Sequence, residues 1–294
     1  MKRIFSKHFS FSVKLIGTSL VLLSAFSLSS CKKKPAEPSQ NNSAKIGLLT
    51  QIGMSEDDVK QWTSDVAAAE GKQTPYHNPN TLIQYDSLDS MVMALKTGSI
   101  DRFSIGFQTA NYIVSQNSDF ALIDKHHKPI MGYSIATTEN HKDLIDSINA
   151  AIDTMKANGT LNSLIDKYLT NASENMVSVE LPSIAGAPTI NIGITGDLPP
   201  MDYILPDVTP AGFNTAFLSE LSKCLNVNFN LVDISSGARS LAISSGKIDA
   251  LFWVIGSFDS EGNSIGLPLD KTENLIISKP YFQDRRAAVK RADK

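Results

Sequence analysis

Adjacent His126 and His127, the acidic run Glu56-Asp57-Asp58, and the later acids Asp259, Glu261 and Asp270 could in principle hold a metal or move a proton. Spacing argues against most of them. Neighbouring histidines on an extended chain point their rings apart, and no acid-rich partner lies near them, so neither a metal site nor any cofactor is expected. Glu56-Asp57-Asp58 suits the first turn of a helix, where negative charge meets the positive end of the dipole. A Gly-x-Ser-x-Gly elbow with a plausible triad order is missing, as is a Gly-Lys-Ser/Thr phosphate loop. Asp259, Glu261 and Asp270 lie on an unusual loop and keep an acid–base enzyme open as an alternative, although no catalysis is expected. The two cysteines, Cys31 and Cys224, are too few for a disulfide scaffold or a multi-cysteine zinc site. Cys224 falls on the stripe Phe217, Leu221, Cys224, Leu225 and is expected to be buried and inert.

The elements that position side chains come in two similar sets. Ala94-Leu-Lys-Thr-Gly98-Ser-Ile-Asp101 and Ala242-Ile-Ser-Ser-Gly246-Lys-Ile-Asp249 have the same plan. In both, a helix ends, glycine takes the left-handed position past its end, and a strand begins at Ile-Asp. Before the first, Leu88, Met91, Val92 and Leu95 recur at helical spacing, and Ser87 is placed to cap the helix. The stretches beginning Lys45-Ile-Gly-Leu-Leu-Thr50 and Thr189-Ile-Asn-Ile-Gly-Ile-Thr195 read as strands running into Gly-containing loops. Strand, loop, helix, glycine, strand is the order of an α/β layer with parallel strands, so two α/β lobes are expected. Between them, Leu144, Ile145, Ile148, Ile152 and Met155 mark one helix ending at Asn158-Gly159. Leu161, Leu164, Ile165, Tyr168 and Leu169 mark a second, followed by a polar, Pro-bearing connector over 171–188.

The 294 residues are 42% hydrophobic and 19% charged, which excludes wholesale disorder. A net charge of −3 gives no reason to expect a nucleic-acid partner. Lys2, Arg3, Lys7 and Lys14 precede an apolar run from Leu15 to Leu28, too short for a membrane span of ~20 residues but suited to an export signal. The run ends Leu28-Ser-Ser-Cys31 and resembles a bacterial lipobox, which implies lipidation of Cys31 and cleavage just before it. Removing four of the 27 basic residues and none of the 30 acidic ones leaves 23 against 30, a charge of −7. Residues 31–44, with Lys32-Lys33-Lys34 and the prolines Pro35 and Pro38, read as a flexible tether beside an anionic membrane surface. The protein is thus expected on the extracytoplasmic face of the cell membrane, held by a lipid anchor.

Residues 190–213 read Ile-Asn-Ile-Gly-Ile-Thr-Gly-Asp-Leu-Pro-Pro-Met-Asp-Tyr, then Pro206-Asp207 and Pro210-Ala-Gly-Phe213. With Ser245-Gly-Lys-Ile-Asp249 and Ser278-Lys-Pro-Tyr281 they resemble the opening lobe of family 3 extracellular solute-binding proteins, the type II periplasmic fold of amino-acid ABC importers. Tyr85-Asp-Ser-Leu-Asp89, Ala94-Leu-Lys-Thr-Gly98, Gly132-Tyr-Ser-Ile-Ala136 and Ala157-Asn-Gly-Thr-Leu161 resemble later parts of the same family. The expected organisation is a signal peptide (1–30), a tether (31–44), a second-lobe-like segment (45–130), return crossover, terminal helices and connector (131–188), and a first-lobe-like segment (189–294). The order is inverted, which implies a circular permutant. A fusion of two partial modules, or two chains swapping halves, stays open.

The resemblance implies a ligand held between the lobes and an inner-membrane ABC permease as partner, and places the site. After the paired prolines the family has an aromatic; here stand Met201 and Tyr203, with Asp197 before the prolines. The strand end Phe252-Trp253-Val-Ile-Gly256-Ser257-Phe258 takes the place of small residues, and by strand alternation at most one of Phe252 and Trp253 faces a ligand. The family's carboxylate-binding arginine has no counterpart between Arg239 and Arg285; Lys271 is the nearest cation. Gln51 and Gly53 match the family's helix-start loop, but Met54, before Ser55, replaces its threonine. Gly106, before Phe107, stands where the acid for an ammonium belongs. The ligand is therefore expected to be amino-acid-like or less polar. A sensory or accessory lipoprotein that binds a protein partner is the alternative. Arg285-Arg286 and Lys290-Arg291 read as a solvated basic tail.

Overall fold

The computed structural model describes residues 43–69, 79–124, 131–170, 178–256, 270–271 and 274–293. In chain order these form β1 (Lys45–Leu49), α1 (Glu56–Ala69), β2 (Thr81–Tyr85), α2 (Leu88–Thr97), β3 (Arg102–Gly106), α3 (Phe107–Gln116) and β4 (Phe120–Ile123). Then come β5 (Met131–Thr137), α4 (Lys142–Ala157), α5 (Thr160–Ile165), β6 (Thr189–Ile194), and the short strands β7 (Asp197–Leu198), β8 (Asp202–Ile204) and β9 (Pro210–Ala211). The chain closes with α6 (Phe213–Leu225), β10 (Asn228–Asp233), α7 (Arg239–Ser244), β11 (Ala250–Gly256), β12 (Ile276–Ile277), β13 (Phe282–Asp284) and β14 (Arg286–Arg291). Among the described residues no helix is long and apolar enough to cross a membrane.

Two sheets share one plan. In the amino lobe the order is β2-β1-β3-β14-β4, and in the carboxy lobe β10-β6-β11-β5-β12, with β13 also on β5. The first three strands of each are parallel. The fourth, β14 or β5, runs antiparallel and arrives from the other half of the sequence. Both sheets are thus completed by strands that cross between lobes, the β14 crossing being the single residue Arg285.

The repeat read from the sequence is built alike in both lobes. Ser87 accepts the Ser90 amide at 3.2 Å to cap α2, which ends at Gly98 with φ 79°. Gly246 after α7 has φ 72°. Left-handed backbone there favours glycine, which has no Cβ to clash. Asp101 then pins the start of its sheet by accepting from the Lys45 amide at 2.7 Å, and Asp249 does the same for Asn191 at 2.7 Å.

Helices α4 and α6 bury their apolar faces in the carboxy lobe around a ring stack. Phe217 and Tyr281 lie 4.7 Å apart, and Phe252 and Tyr281 5.2 Å apart. Two expectations fail. Cys224 is exposed, because toward the end of α6 the buried face lies on Leu218, Leu221 and Ser222. The basic C-terminal end is no solvated tail. It is the inner strand β14, with Ala287 and Val289 buried and Arg291 donating to the carbonyls of Leu95 and Ile100 at 2.7 and 2.9 Å.

Candidate functional site

A cavity of about 30 Å³ lies between the two sheets. The strand ends Leu49, Ile105 and Gly106 face it from the amino lobe, with Gln51, Ser104, Thr109 of α3 and Arg286 of β14. From the carboxy lobe come Met131 and Tyr133 of β5, Leu198 and Met201 of the β7–β8 loop, and Trp253 and Ile255 of β11. Its position follows from topology, since parallel strands from both lobes end on this cleft.

Trp253 reaches the cavity through a break in strand pairing. Leu251 pairs with Ala136 and Val254 with Ser134, so two residues face Ile135 alone; Trp253 takes φ 45°. Phe252 goes to the ring stack, Trp253 to the cleft, in line with the expectation that only one could serve. The Trp253 indole Nε1 has no hydrogen-bond partner among the described residues, nor has Gln51 Oε1 or Arg286 Nη1. Gln51 is otherwise fixed, its Nε2 donating to the Leu49 carbonyl at 2.6 Å. Arg286 donates from Nε to Ser104 Oγ at 3.3 Å, and its guanidinium lies 5.2 Å from the Trp62 ring. The residue as a whole is half-buried, but Nη1 is shut off from solvent. Burial lowers its pKa to about 10, so it is charged at neutral pH.

Of the residues singled out in the sequence, Gln51, Gly106, Met201 and Trp253 line this cavity. Gly106 is required there. A side chain would run into the Tyr133 hydroxyl and into Asp284 Oδ2, 2.9 Å from the Cβ position. Asp284 itself turns away, accepting from the amides of Gln108 and Arg285 at 3.2 and 2.8 Å, and burial raises its pKa to about 6.

The others are engaged elsewhere. Lys271 pairs with Asp58 at 2.7 Å on the rim, holding that carboxyl well below its usual range. Ser55 caps α1 with Asp58, Gly53 packs on the Lys271 stem, and Met54 accepts from Gln84 Nε2. Phe107 lies under the Arg285 guanidinium at 3.3 Å, and Arg285 forks onto Asp124 at 2.9–3.2 Å. Asp197 accepts the Leu88 amide at 2.7 Å, capping a helix of the opposite lobe. Tyr203 is buried in the β7–β8–β9 sheet, outside the cavity. Gly256 ends β11 beyond the lining. Ser257, Phe258, Asp259, Glu261 and the two histidines lie outside the described residues, as do Cys31 and the leader.

Sequence reasoning missed Arg286. The usable signal was the alternation Arg286-Ala-Ala-Val-Lys-Arg291, which sends Ala287 and Val289 to one face and Arg286 to the other.

A second buried arginine, Arg239, joins the lobes. It pairs with Asp270 at 3.5 Å, donates to the Thr50 carbonyl at 3.0 Å and to the Ser236 carbonyl at 3.2 Å, and lies 4.2 Å from the Trp253 ring. Asp270 also accepts the amides of Ile52 at 2.6 Å and Ile255 at 2.7 Å, one from each lobe. Burial lowers the arginine's pKa and raises the acid's, while each opposes the shift of the other. With both oxygens engaged, Asp270 offers no free base.

The α/β architecture with two sheets of one plan is as expected. Residues 190–294 match the sequence model of bacterial extracellular solute-binding proteins, family 3. The matched segment is the last third of the chain. A search of curated proteins finds no match. Similar solved structures include the zinc-bound ligand-binding component of an ABC-type import system from Staphylococcus aureus (14% identity, 85% of this chain, TM-score 0.38). They also include the periplasmic aliphatic sulphonate binding protein SsuA from Escherichia coli (12% identity, 85% of this chain, TM-score 0.35). This chain spans 66% and 65% of those two, respectively. The reduced OxyR regulatory domain from Pseudomonas aeruginosa is similar too (11% identity, 86% of this chain and 90% of that one, TM-score 0.36). At such scores none of these bears on the ligand.

Proposed function

We propose that this protein is an exported solute-binding lipoprotein. It captures a small molecule between its lobes and presents it to an inner-membrane ABC permease, without catalysis. The observation that carries the reading is the interlobe cavity, walled by both lobes and faced by buried polar atoms that lack partners. A ligand touching both walls is bound fully only when the lobes are together, so binding shifts the population toward closure. The apolar leader ending at Cys31 and the family 3 segment support export and anchoring through an acylated thiol.

A thermal-shift screen of the protein against amino acids, short carboxylates, nucleosides and sugars tests it. A true ligand at a hundred times its Kd adds about 2.7 kcal/mol of stability. No shift with any compound would refute the solute-binding role and favour a protein partner. Labelling with a fatty-acid analogue, compared with Cys31→Ser, tests the anchor; equal labelling would remove it.

A further inference from the structure

We propose that the interlobe cavity takes a small carboxylate, with Arg286 as its charge partner, in preference to a zwitterionic amino acid. The inference rests on the solute-binding reading above and narrows its ligand.

Among the described residues that line the cavity, Arg286 is the one that is charged, and none is an aspartate or glutamate. A guanidinium nitrogen closed off from water and without a partner is costly, and a bound anion removes that cost. Among the described residues the Arg286 side chain meets the Ser104 hydroxyl and the Trp62 ring face and lies near the Tyr133 hydroxyl, and none of these is an acid that neutralises it. Its neighbour Arg285 shows the contrast, forking onto Asp124 outside the cavity.

Trp253 Nε1 adds a second unpartnered donor, from the opposite lobe. The two oxygens of a carboxylate accept from both, so one anionic group ties the lobes together. Gln51 Oε1 is an unpartnered acceptor and suits a hydroxyl on the ligand. The rest of the wall is mostly apolar, with Leu49, Ile105, Met131, Leu198, Met201 and Ile255 beside the hydroxyls of Ser104, Thr109 and Tyr133. At ~10–15 Å³ for one water, the cavity has room for about two to three water-sized groups, which sets a ligand of a few heavy atoms.

The same walls discriminate against an amino acid. Its carboxylate would be served, but its ammonium would be buried against neutral acceptors, the Gln51 oxygen and the hydroxyls of Ser104, Thr109 and Tyr133, with no carboxylate among the described lining residues. A buried cation without a carboxylate partner is strongly disfavoured.

Calorimetric titration of the full-length protein in detergent tests this with four probes: propionate, lactate, propionamide and alanine. Propionate or lactate should bind, and propionamide and alanine at least about 10-fold more weakly. Arg286→Met should weaken carboxylate binding by about 10- to 100-fold. Arg286→Lys should restore part of it as a point charge, and Trp253→Phe, which keeps a ring but loses the N–H, should give a smaller loss. If Arg286→Met does not fold, the propionate–propionamide contrast in the unmodified protein decides. Equal binding of propionamide, tighter binding of alanine, or Arg286→Met binding carboxylates normally would overturn the proposal. Binding of a sugar or nucleoside alone would overturn it and leave the solute-binding reading intact. If no compound of the wider screen binds either, both fall together.

Discussion

Arg239 and Arg286 are both held at the interface between the lobes, and the sequence treats them in opposite ways. Arg239 meets a buried carboxylate, two carbonyls and an aromatic face. Arg286 meets a hydroxyl and an aromatic face, and no acid. Removing one member of a paired set exposes the other as an uncompensated buried charge. Removing an unpaired cation relieves a cost. Each arginine keeps a buried Nη1 without a hydrogen-bond partner, so the difference lies in the acid: the arginine paired with Asp270 belongs to the architecture, and the one without an acid among the described residues to the ligand.

The largest expected effect follows directly. Arg239→Met leaves Asp270 buried without its cation and should destabilise by about 3–5 kcal/mol, read in urea unfolding. Arg286→Met should leave stability unchanged or raise it. If the two variants lose stability equally, the contrast between latch and ligand group fails.

The next effect is a pH dependence on the Arg239 side. Asp202 is fully buried, accepts from the Gly196 amide at 3.1 Å and from Asn214 Nδ2 at 3.3 Å, and is pushed up to about 7, chiefly by burial. Its charge also acts on Arg239. A carboxyl with a raised folded-state pKa holds its proton better when folded than when unfolded. Its contribution to stability is full below the unfolded pKa, near 4, falls as pH rises toward 7, and is level above. The decline is on the order of 4 kcal/mol at ~1.4 kcal/mol per pH unit. Asp284, raised to about 6, adds to it with the same sign. Asp202→Asn keeps the shape and removes the titration. Its stability should change much less between pH 4 and pH 7, and at pH 8 it should exceed that of the unmodified protein. An unchanged slope would show that Asp202 is ionised throughout.

A smaller loss is expected from Asp197, a ligand candidate in the sequence that instead caps α2 across the lobes. Asp197→Ala should cost about 1 kcal/mol, as loss of a helix cap does. Carboxylate affinity should stay within about 3-fold, because Asp197 does not reach the cavity. A tenfold change in affinity would place it in the site after all.

How much of this was legible depended on whether the signal was local. The glycines at 98 and 246 and the Ser87 cap are decided within a few residues and appear as read, while the strands expected at the Ile-Asp pairs begin just after them, at Arg102 and Ala250. Strand alternation said that at most one of Phe252 and Trp253 faces a ligand but not which; the pairing break at Trp253 sends that residue to the cleft. Cys224 was misread because an ideal heptad stripe does not follow the drift of a buried face along α6. The site residues contributed by crossing strands were illegible for a different reason. Arg286 reaches the cavity only because β14 enters a sheet whose other members lie more than 160 residues earlier, pairing with Gly106. An alignment that looked for a cation after β11 found Lys271 instead.

Lys271 therefore gives the smallest prediction and the sharpest reading of that error. Its side chain is 42% exposed and its amine is joined to Asp58 at 2.7 Å, an arrangement that water and salt screen. Its backbone, not its charge, holds the lobes, through the Lys271 amide donating to the Ile52 carbonyl at 2.8 Å. Substitution by alanine keeps that bond, so Lys271→Ala should shift the melting temperature less than Asp197→Ala does. Carboxylate affinity should be unchanged at low and at high salt. A loss of binding in Lys271→Ala comparable to that in Arg286→Met would return the anion to the rim, where the family's own arginine led the alignment to look for it.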